Sequence, residues 1–192
     1  MLIRPLEPSD REKLLLGFEE LSPESRYKRF LSPMAKLDPA WVRYFTEIDH
    51  HDHEALMAES AATGEPVGVA RYIRLRDQPA AAELAVTVVD PWQGKGAATA
   101  LLRLLSARAR SEGITRFRAT CLGENRTMLN LMRELGNKHS EKAGSGVVEI
   151  EVELPAAIER GNPLHTALTH AASGAVDFQH PVPVQLRPHC PS

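Results

Sequence analysis

Cysteine is scarce in this chain: two, Cys121 and Cys190, in 192 residues. They stand far apart and match no zinc or redox spacing, so the sequence reads as two free thiols in a reducing compartment. No sign of charge dominates either. Lys plus Arg number 23 and Asp plus Glu 25, a net −2, so neither nucleic acid nor an anionic membrane is expected as a partner of the whole chain. No apolar run approaches the roughly 20 residues of a membrane span. The opening MLIRPLEPSD lacks the apolar stretch of a signal peptide. There is no internal repeat. A soluble, cytoplasmic protein is the expectation. What is present is enough apolar residue, 43%, to build the core of one domain with an appendage.

Helix and strand signals alternate along the chain. Leu2 to Leu6 begins as a strand and breaks at Pro5 and Pro8. Ser9 or Asp10 is positioned to cap a helix through Phe18. Ser22-Pro23 and Asp38-Pro39 repeat the signature of a capping side chain followed by proline at the first helical position, the second of these helices running to about Ile48. The pattern then turns to strands: Glu54 to Ser60, a turn over 62–65, and a return strand from Pro66 to Leu75. Asp77-Gln78-Pro79 reads as a loop, and Ala81 to Val89 as an apolar, central strand. A long helix follows to about Glu112, with Ala98, Leu101, Leu102 and Leu105 on one stripe and Gly113 as its stop. Arg116 to Leu122 is a strand. Asn125 caps a helix bearing Met128, Leu131, Met132 and Leu135, and Gly136 ends it. Val147 to Leu154 alternates as a closing strand, with Val148, Ile150, Val152 and Leu154 inward. From Pro155 composition shifts to a Pro/His-rich tail over 155–192, expected to be partly disordered, with a short helix around 163–172.

The segment that carries chemistry lies between the central strand and the long helix: Val88-Val89-Asp90-Pro91-Trp92-Gln93-Gly94-Lys95-Gly96-Ala97-Ala98-Thr99. A helix N-terminus presents unpaired N–H groups and partial positive charge, and glycines let backbone approach an anion. A Walker loop requires Ser or Thr after its lysine, which Lys95 lacks. A dinucleotide fingerprint requires a third glycine where Thr99 stands. Gln/Arg-x-x-Gly-x-Gly/Ala is satisfied by Gln93 to Ala98.

That pattern resembles the acyl-CoA signature of the GNAT superfamily of N-acetyltransferases. The order of elements over residues 2–154 and the position of Asn125 are similar to a GNAT domain. The resemblance implies an α/β (α+β) fold with a central mixed, mostly antiparallel sheet flanked by helices. Ser22 to Phe30, Gly68 to Tyr72 and Ala82 to Ala85 further resemble the GNAT domains of Pat-type protein lysine acetyltransferases. The sequence holds no cyclic-nucleotide or CoA-ligase-like domain, so control of that kind is not expected.

The resemblance implies an acetyl-CoA co-substrate, no metal, and acetyl transfer to a primary amine, either a protein lysine or a small molecule, by direct attack on the thioester. The alternative is a catalytically weak GNAT fold that binds acyl-CoA as a sensor or interaction module. By position, backbone N–H groups of Thr87, Val88 and Val89 would bind the thioester carbonyl and pantetheine amides. Gln93 and the amides of Gly94, Lys95, Gly96, Ala97, Ala98 and Thr99 would hold the pyrophosphate. Asn125 would face the pantetheine arm. Lys95 either adds charge at the phosphates or is a solvated loop lysine. Glu83, ten residues before Gln93, would be the general base that takes the amine's proton, its pKa raised by an apolar strand end. The position at which many GNAT enzymes carry a tyrosine acid is Met132.

Other polar clusters carry weaker signals. Asp49-His50-His51-Asp52-His53-Glu54 has the look of a metal cluster, but alternate side chains of a strand diverge, and a wall on the substrate side is the preferred reading. The tail histidines have no ligand spacing. Arg26, Arg29, Arg71 and Arg74 are candidates to border the acceptor cleft, with surface salt bridging the expected role of most. Cys121, on a buried strand, is expected to be inert.

Overall fold

The computed structural model describes residues 1–136 and 138–155, and the expected tail helix lies outside them. In chain order the elements are β1 (Leu2–Pro5), α1 (Arg11–Glu19), α2 (Pro23–Phe30), α3 (Pro39–Thr46), β2 (His53–Glu59), β3 (Pro66–Leu75), β4 (Gln78–Val88), α4 (Ala97–Ser111), β5 (Arg116–Leu122), α5 (Arg126–Leu135), β6 (Lys138–Gly144) and β7 (Val147–Glu153). The strands form one sheet in the order β1-β2-β3-β4-β5-β7-β6. Every pairing is antiparallel except β4 with β5. This is the mixed, mostly antiparallel sheet that the sequence implied.

Local chemistry accounts for most boundaries. The Ser22 hydroxyl accepts from the Ser25 N–H, the Asp38 carboxylate from Ala40 and the Asn125 amide oxygen from Met128, each satisfying an orphan donor of a first turn. The expected cap of α1 fails. The Asp10 carboxylate accepts instead from Arg4 at 2.6 and 2.7 Å and from the Glu7 N–H at 2.8 Å, so the helix is entered through a short 3-10 turn. β4 begins at Gln78 rather than Ala81. Of its first residues only Gln78 has a partner on β3, Leu75, across a register shift, and pairing with β5 starts at Ala81, so Pro79 stands in an unpaired stretch where no ladder bond needs its missing N–H.

Side chains alternate across the sheet, so the register divides the molecule into two layers. Leu56, Ala58, Ala70, Tyr72, Ala82 and Leu84 face α4, whose Leu101, Leu102, Leu104 and Leu105 are fully buried against them. Each such leucine contributes roughly 1.5–3 kcal/mol by leaving water. The expected stripe of α4 is thus shifted, with Ala97 buried in place of Ala98 and with Leu104 added. On the other face Ala55, Met57 and Val69 pack under α1, and Phe18, Leu21, Leu37, Val42 and Phe45 join α1 to α3. Among the described residues, no helix is long and apolar enough to cross a membrane.

Candidate active site

β4 and β5 pair only over Ala81–Glu83 and Arg116–Arg118. Beyond Glu83 the two strands part, and a cavity of about 750 Å³ fills the gap. The end of β4 and the loop 92–99 form one wall; Thr120, Cys121, Asn125, Thr127, Met128 and Leu131 form the other.

Which backbone groups of β4 face that gap follows from the ladder. The Val89 N–H donates to the Val67 carbonyl at 2.9 Å, and the register continues as Gly68↔Val88, Val69↔Thr87 and Ala70↔Val86. In an antiparallel pair, hydrogen-bonded and non-bonded residues alternate. Thr87 and Val89 therefore spend their backbone groups on β3, which corrects the expectation that their amides are free. Val88 and, unforeseen from sequence, Val86 turn their N–H groups toward the gap. The Thr87 side chain still lines the cavity.

The loop after β4 reaches α4 through two glycines in the left-handed region, Gly94 at φ 71° and Gly96 at φ 83°, a conformation other residues rarely adopt. Six consecutive backbone N–H groups, from Gly94 to Thr99, have no hydrogen-bond partner among the described residues. They lie at the positive end of a 15-residue helix with no acidic residue in its first turn. The Gln93 side chain takes another direction from the one expected. Its Nε2 donates to Ser25 Oγ at 3.1 Å, the Val88 carbonyl at 3.1 Å and Asp90 Oδ1 at 3.0 Å, bracing the loop against β4 and α2. Lys95 lies over the Trp92 ring, Nζ 5.5 Å from its centroid, and its side chain does not line the cavity.

Asn125 lines the cavity while its amide oxygen caps α5 at 3.1 Å, which leaves its NH2 as donor. Met132 is fully buried in the core, so the seventh position after Asn125 faces away from the gap; Thr127 supplies a hydroxyl from α5 instead. Burial raises the Cys121 thiol above its ordinary pKa.

Glu83 sits at the other end of the cavity, where β4 and β5 part. It is exposed, not enclosed by apolar residues as the sequence reading assumed. Arg29, Arg71, Trp41 and Tyr44 line the same cavity, Arg71 on the neighbouring strand opposite Ala85. Arg71 is only 5% exposed. It donates to His53 Nε2 at 3.0 Å and to the Phe45 carbonyl at 3.2 Å, with its guanidinium 4.4 Å from the Phe45 ring centroid. Burial, and then the charge of Arg29, push Arg71 down to about 9. Burial pushes Arg29 to about 10, with Glu83 pulling the other way. Both stay charged at neutral pH. Arg26 and Arg74 lie outside the cavity: Arg26 donates to the Ala35 carbonyl, and Arg74 pairs with Asp52 at 2.5 Å.

The polar segment before β2 resolves into separate contacts. Asp49 Oδ1 accepts from the N–H groups of His51, Asp52 and His53. His50 bonds Glu54 at 2.8 Å, and His51 bonds Glu112 at the far end of α4. Only His53 reaches toward the cavity, and it does so through Arg71. The expected substrate-side wall is thus limited to one residue. Among the described residues, no group of three or more His, Cys, Asp or Glu is placed to hold a metal.

Residues 17–136 match the model of the acetyltransferase (GNAT) family. The chain is similar to Acetyltransferase Pat of Mycolicibacterium smegmatis, 35% identical over 153 residues, which covers 80% of this chain and 45% of that protein. It thus spans under half the length of that relative. Acetyltransferase PA5475 of Pseudomonas aeruginosa is 34% identical over 138 residues, 71% of this chain and 74% of that one. Among solved structures, the GNAT domain of S. lividans PAT superposes with a TM-score of 0.72 at 36% identity, covering 79% of this chain and 89% of that domain. A divided β4–β5 edge, a glycine-bent loop entering α4 and a capping Asn125 thus come together on a chain that belongs to the acetyltransferase (GNAT) family.

Proposed function

We propose that this protein is an acetyl-CoA-dependent N-acetyltransferase that acetylates a primary amine, a protein lysine or a small molecule. The observation that carries the reading is the row of unpartnered N–H groups from Gly94 to Thr99 at the positive end of α4, a cradle for a pyrophosphate. The cavity that continues from it between β4 and β5 matches an extended pantetheine arm, with Asn125 beside it.

Acetyl transfer then uses groups already on the walls. An acceptor ammonium gives a proton to the Glu83 carboxylate, which faces solvent and passes it on to water. The neutral nitrogen attacks the thioester carbonyl. The N–H groups of Val86 and Val88 face the oxyanion that develops, and a single donor of this kind contributes roughly 2.7–4 kcal/mol in acyl-transfer enzymes. The C–S bond breaks, CoA leaves as a thiolate, and the proton that the attacking nitrogen still has to lose passes to that thiolate through solvent or a nearby hydroxyl. The buried Met132 is the observation that favours the alternative, an acyl-CoA-binding module with weak catalysis.

Calorimetric titration with acetyl-CoA, with ATP and NAD as controls, tests the binding half. Affinity for acetyl-CoA alone supports the reading, and no binding refutes it. Amine-dependent release of CoA thiol then separates transferase from sensor.

A further inference from the structure

Arg29 and Arg71 line the same cavity, Arg71 feels the charge of Arg29, and neither forms an ion pair among the described residues. The partners of Arg71 are neutral: the His53 ring, the Phe45 carbonyl and the Phe45 face. Arg29 has no hydrogen bond among the described residues and lies against the Phe30 ring, 5.0 Å from its centroid. Elsewhere in the fold, half-buried arginines meet carboxylates: Arg4 meets Asp10 and Glu59, and Arg108 meets Glu54 and Glu112. Arg71 is buried and Arg29 half-buried, Glu83 supplies an opposing charge to Arg29 but no carboxylate pairs with Arg71, and buried charges are ordinarily paired. The pairing that Arg71 lacks among the described residues is open to a bound anion.

The shape of the site narrows the chemistry. A small recess of about 60 Å³ shares Arg29, Phe30, Phe45, Arg71, Ala85 and Thr87 with the main cavity, and the rest of its lining is mostly apolar, as at Leu14, Phe18, Met57 and Val69. At roughly 10–15 Å³ of such space per water, it admits a group of a few heavy atoms. A planar carboxylate fits the guanidinium fork, which binds it with two parallel hydrogen bonds. On the β3–β4 ladder Ile73 pairs with Glu83 and Arg71 with Ala85, so Glu83 and the deeper arginine stand on the same face of adjacent strands, and Arg29 lines the same cavity. An acceptor bound here places its amine toward Glu83 and its anion toward Arg71.

Resting on the acetyltransferase reading above, we infer that the acceptor is a primary amine that carries a carboxylate, held by Arg29 and Arg71 while its amine faces Glu83. The carboxylate is that of a small amino acid or of an acidic side chain beside a lysine in a peptide.

Matched probes distinguish these sources. One pair is γ-aminobutyrate and its amide; the other is the blocked dipeptides acetyl-Glu-Lys-amide and acetyl-Gln-Lys-amide. Each is titrated into the CoA-loaded protein, and then into Arg29→Gln and Arg71→Gln variants whose melting confirms that they fold. In one arm the acid binds at least about tenfold more tightly than its neutral partner, the advantage a charge-assisted bidentate contact confers, and that arm names the source. The advantage disappears in Arg29→Gln. Equal affinities in both arms, or an advantage that survives both substitutions, overturn the inference. Acetyl-CoA binding is measured on the same samples. If it is intact while acids and neutral partners bind alike, this inference falls and acetyl transfer stands. If acetyl-CoA does not bind, the transferase reading falls, and the acid comparison is read on the free protein.

Discussion

The Val89 N–H meets the Val67 carbonyl at 2.9 Å, and through the alternation of an antiparallel ladder this bond decides which amides of β4 are available to a ligand. Val86 and Val88 face the opened edge; Thr87 and Val89 do not. The proposed base, Glu83, and the proposed anion cradle, Gly94–Thr99, lie at the two ends of that edge, so one strand and the loop after it carry most of the proposed site.

Replacing Glu83 by Gln removes the proton acceptor and keeps the shape. Steady-state thiol release is expected to fall by about 10²–10⁴-fold, the usual worth of a positioned base, while calorimetric affinity for acetyl-CoA stays the same. Unchanged turnover would remove Glu83 from the mechanism, and turnover absent in the wild type would favour the binding-module alternative.

Gly96 at φ 83° and Gly113 at φ 79° share a left-handed conformation, and in both cases the space a Cβ would enter is open, with no other atom within 4 Å. Gly96→Ala and Gly113→Ala are each expected to cost about 1–2 kcal/mol of stability, the penalty of a left-handed L-residue. Only Gly96→Ala also weakens acetyl-CoA binding, because the loop's N–H groups move with it. Melting curves together with titrations check this; equal loss of affinity in both variants would show a general effect of stability.

Part of this arrangement was legible in the sequence. The caps at Ser22, Asp38 and Asn125 could be read directly, because a capping side chain bonds a backbone N–H two or three residues away. Asp10 misled because its partner, Arg4, comes from β1, and β6 was missed because Lys-His-Ser-Glu-Lys-Ala-Gly carries no alternation to mark a strand. The glycines of the loop signalled an unusual backbone at the entry to α4, and Gly94 and Gly96 take the left-handed conformation there. The direction of each β4 amide was beyond reach, since it depends on register with β3. The Gln93 side chain was misjudged for the same reason, its acceptors Ser25 and Val88 being fixed by tertiary packing.

His53 couples the acceptor side to pH. Burial first, and the Arg71 charge second, lower its imidazole to about 4, against the opposing pull of Asp49 and Glu54 and with a small contribution from His50. An unfolded histidine titrates near about 6.5. Between those values the unfolded chain holds a proton that the folded protein does not, so stability falls as pH drops from about 6.5 toward 4. Thermal melts across that range are expected to show a shallower decline in His53→Gln, whose amide oxygen can still accept from Arg71. The same slope in both proteins would assign the decline to other groups.

The most direct test of the central claim is backbone amide NMR of Gly94–Thr99 during titration with acetyl-CoA. The account predicts large, saturable shifts of these six amides, reproduced by CoA and not by the pantetheine fragment, which lacks the pyrophosphate. Saturation of the protein with those amides unmoved would contradict it, and the glycine loop would then be only a turn into α4.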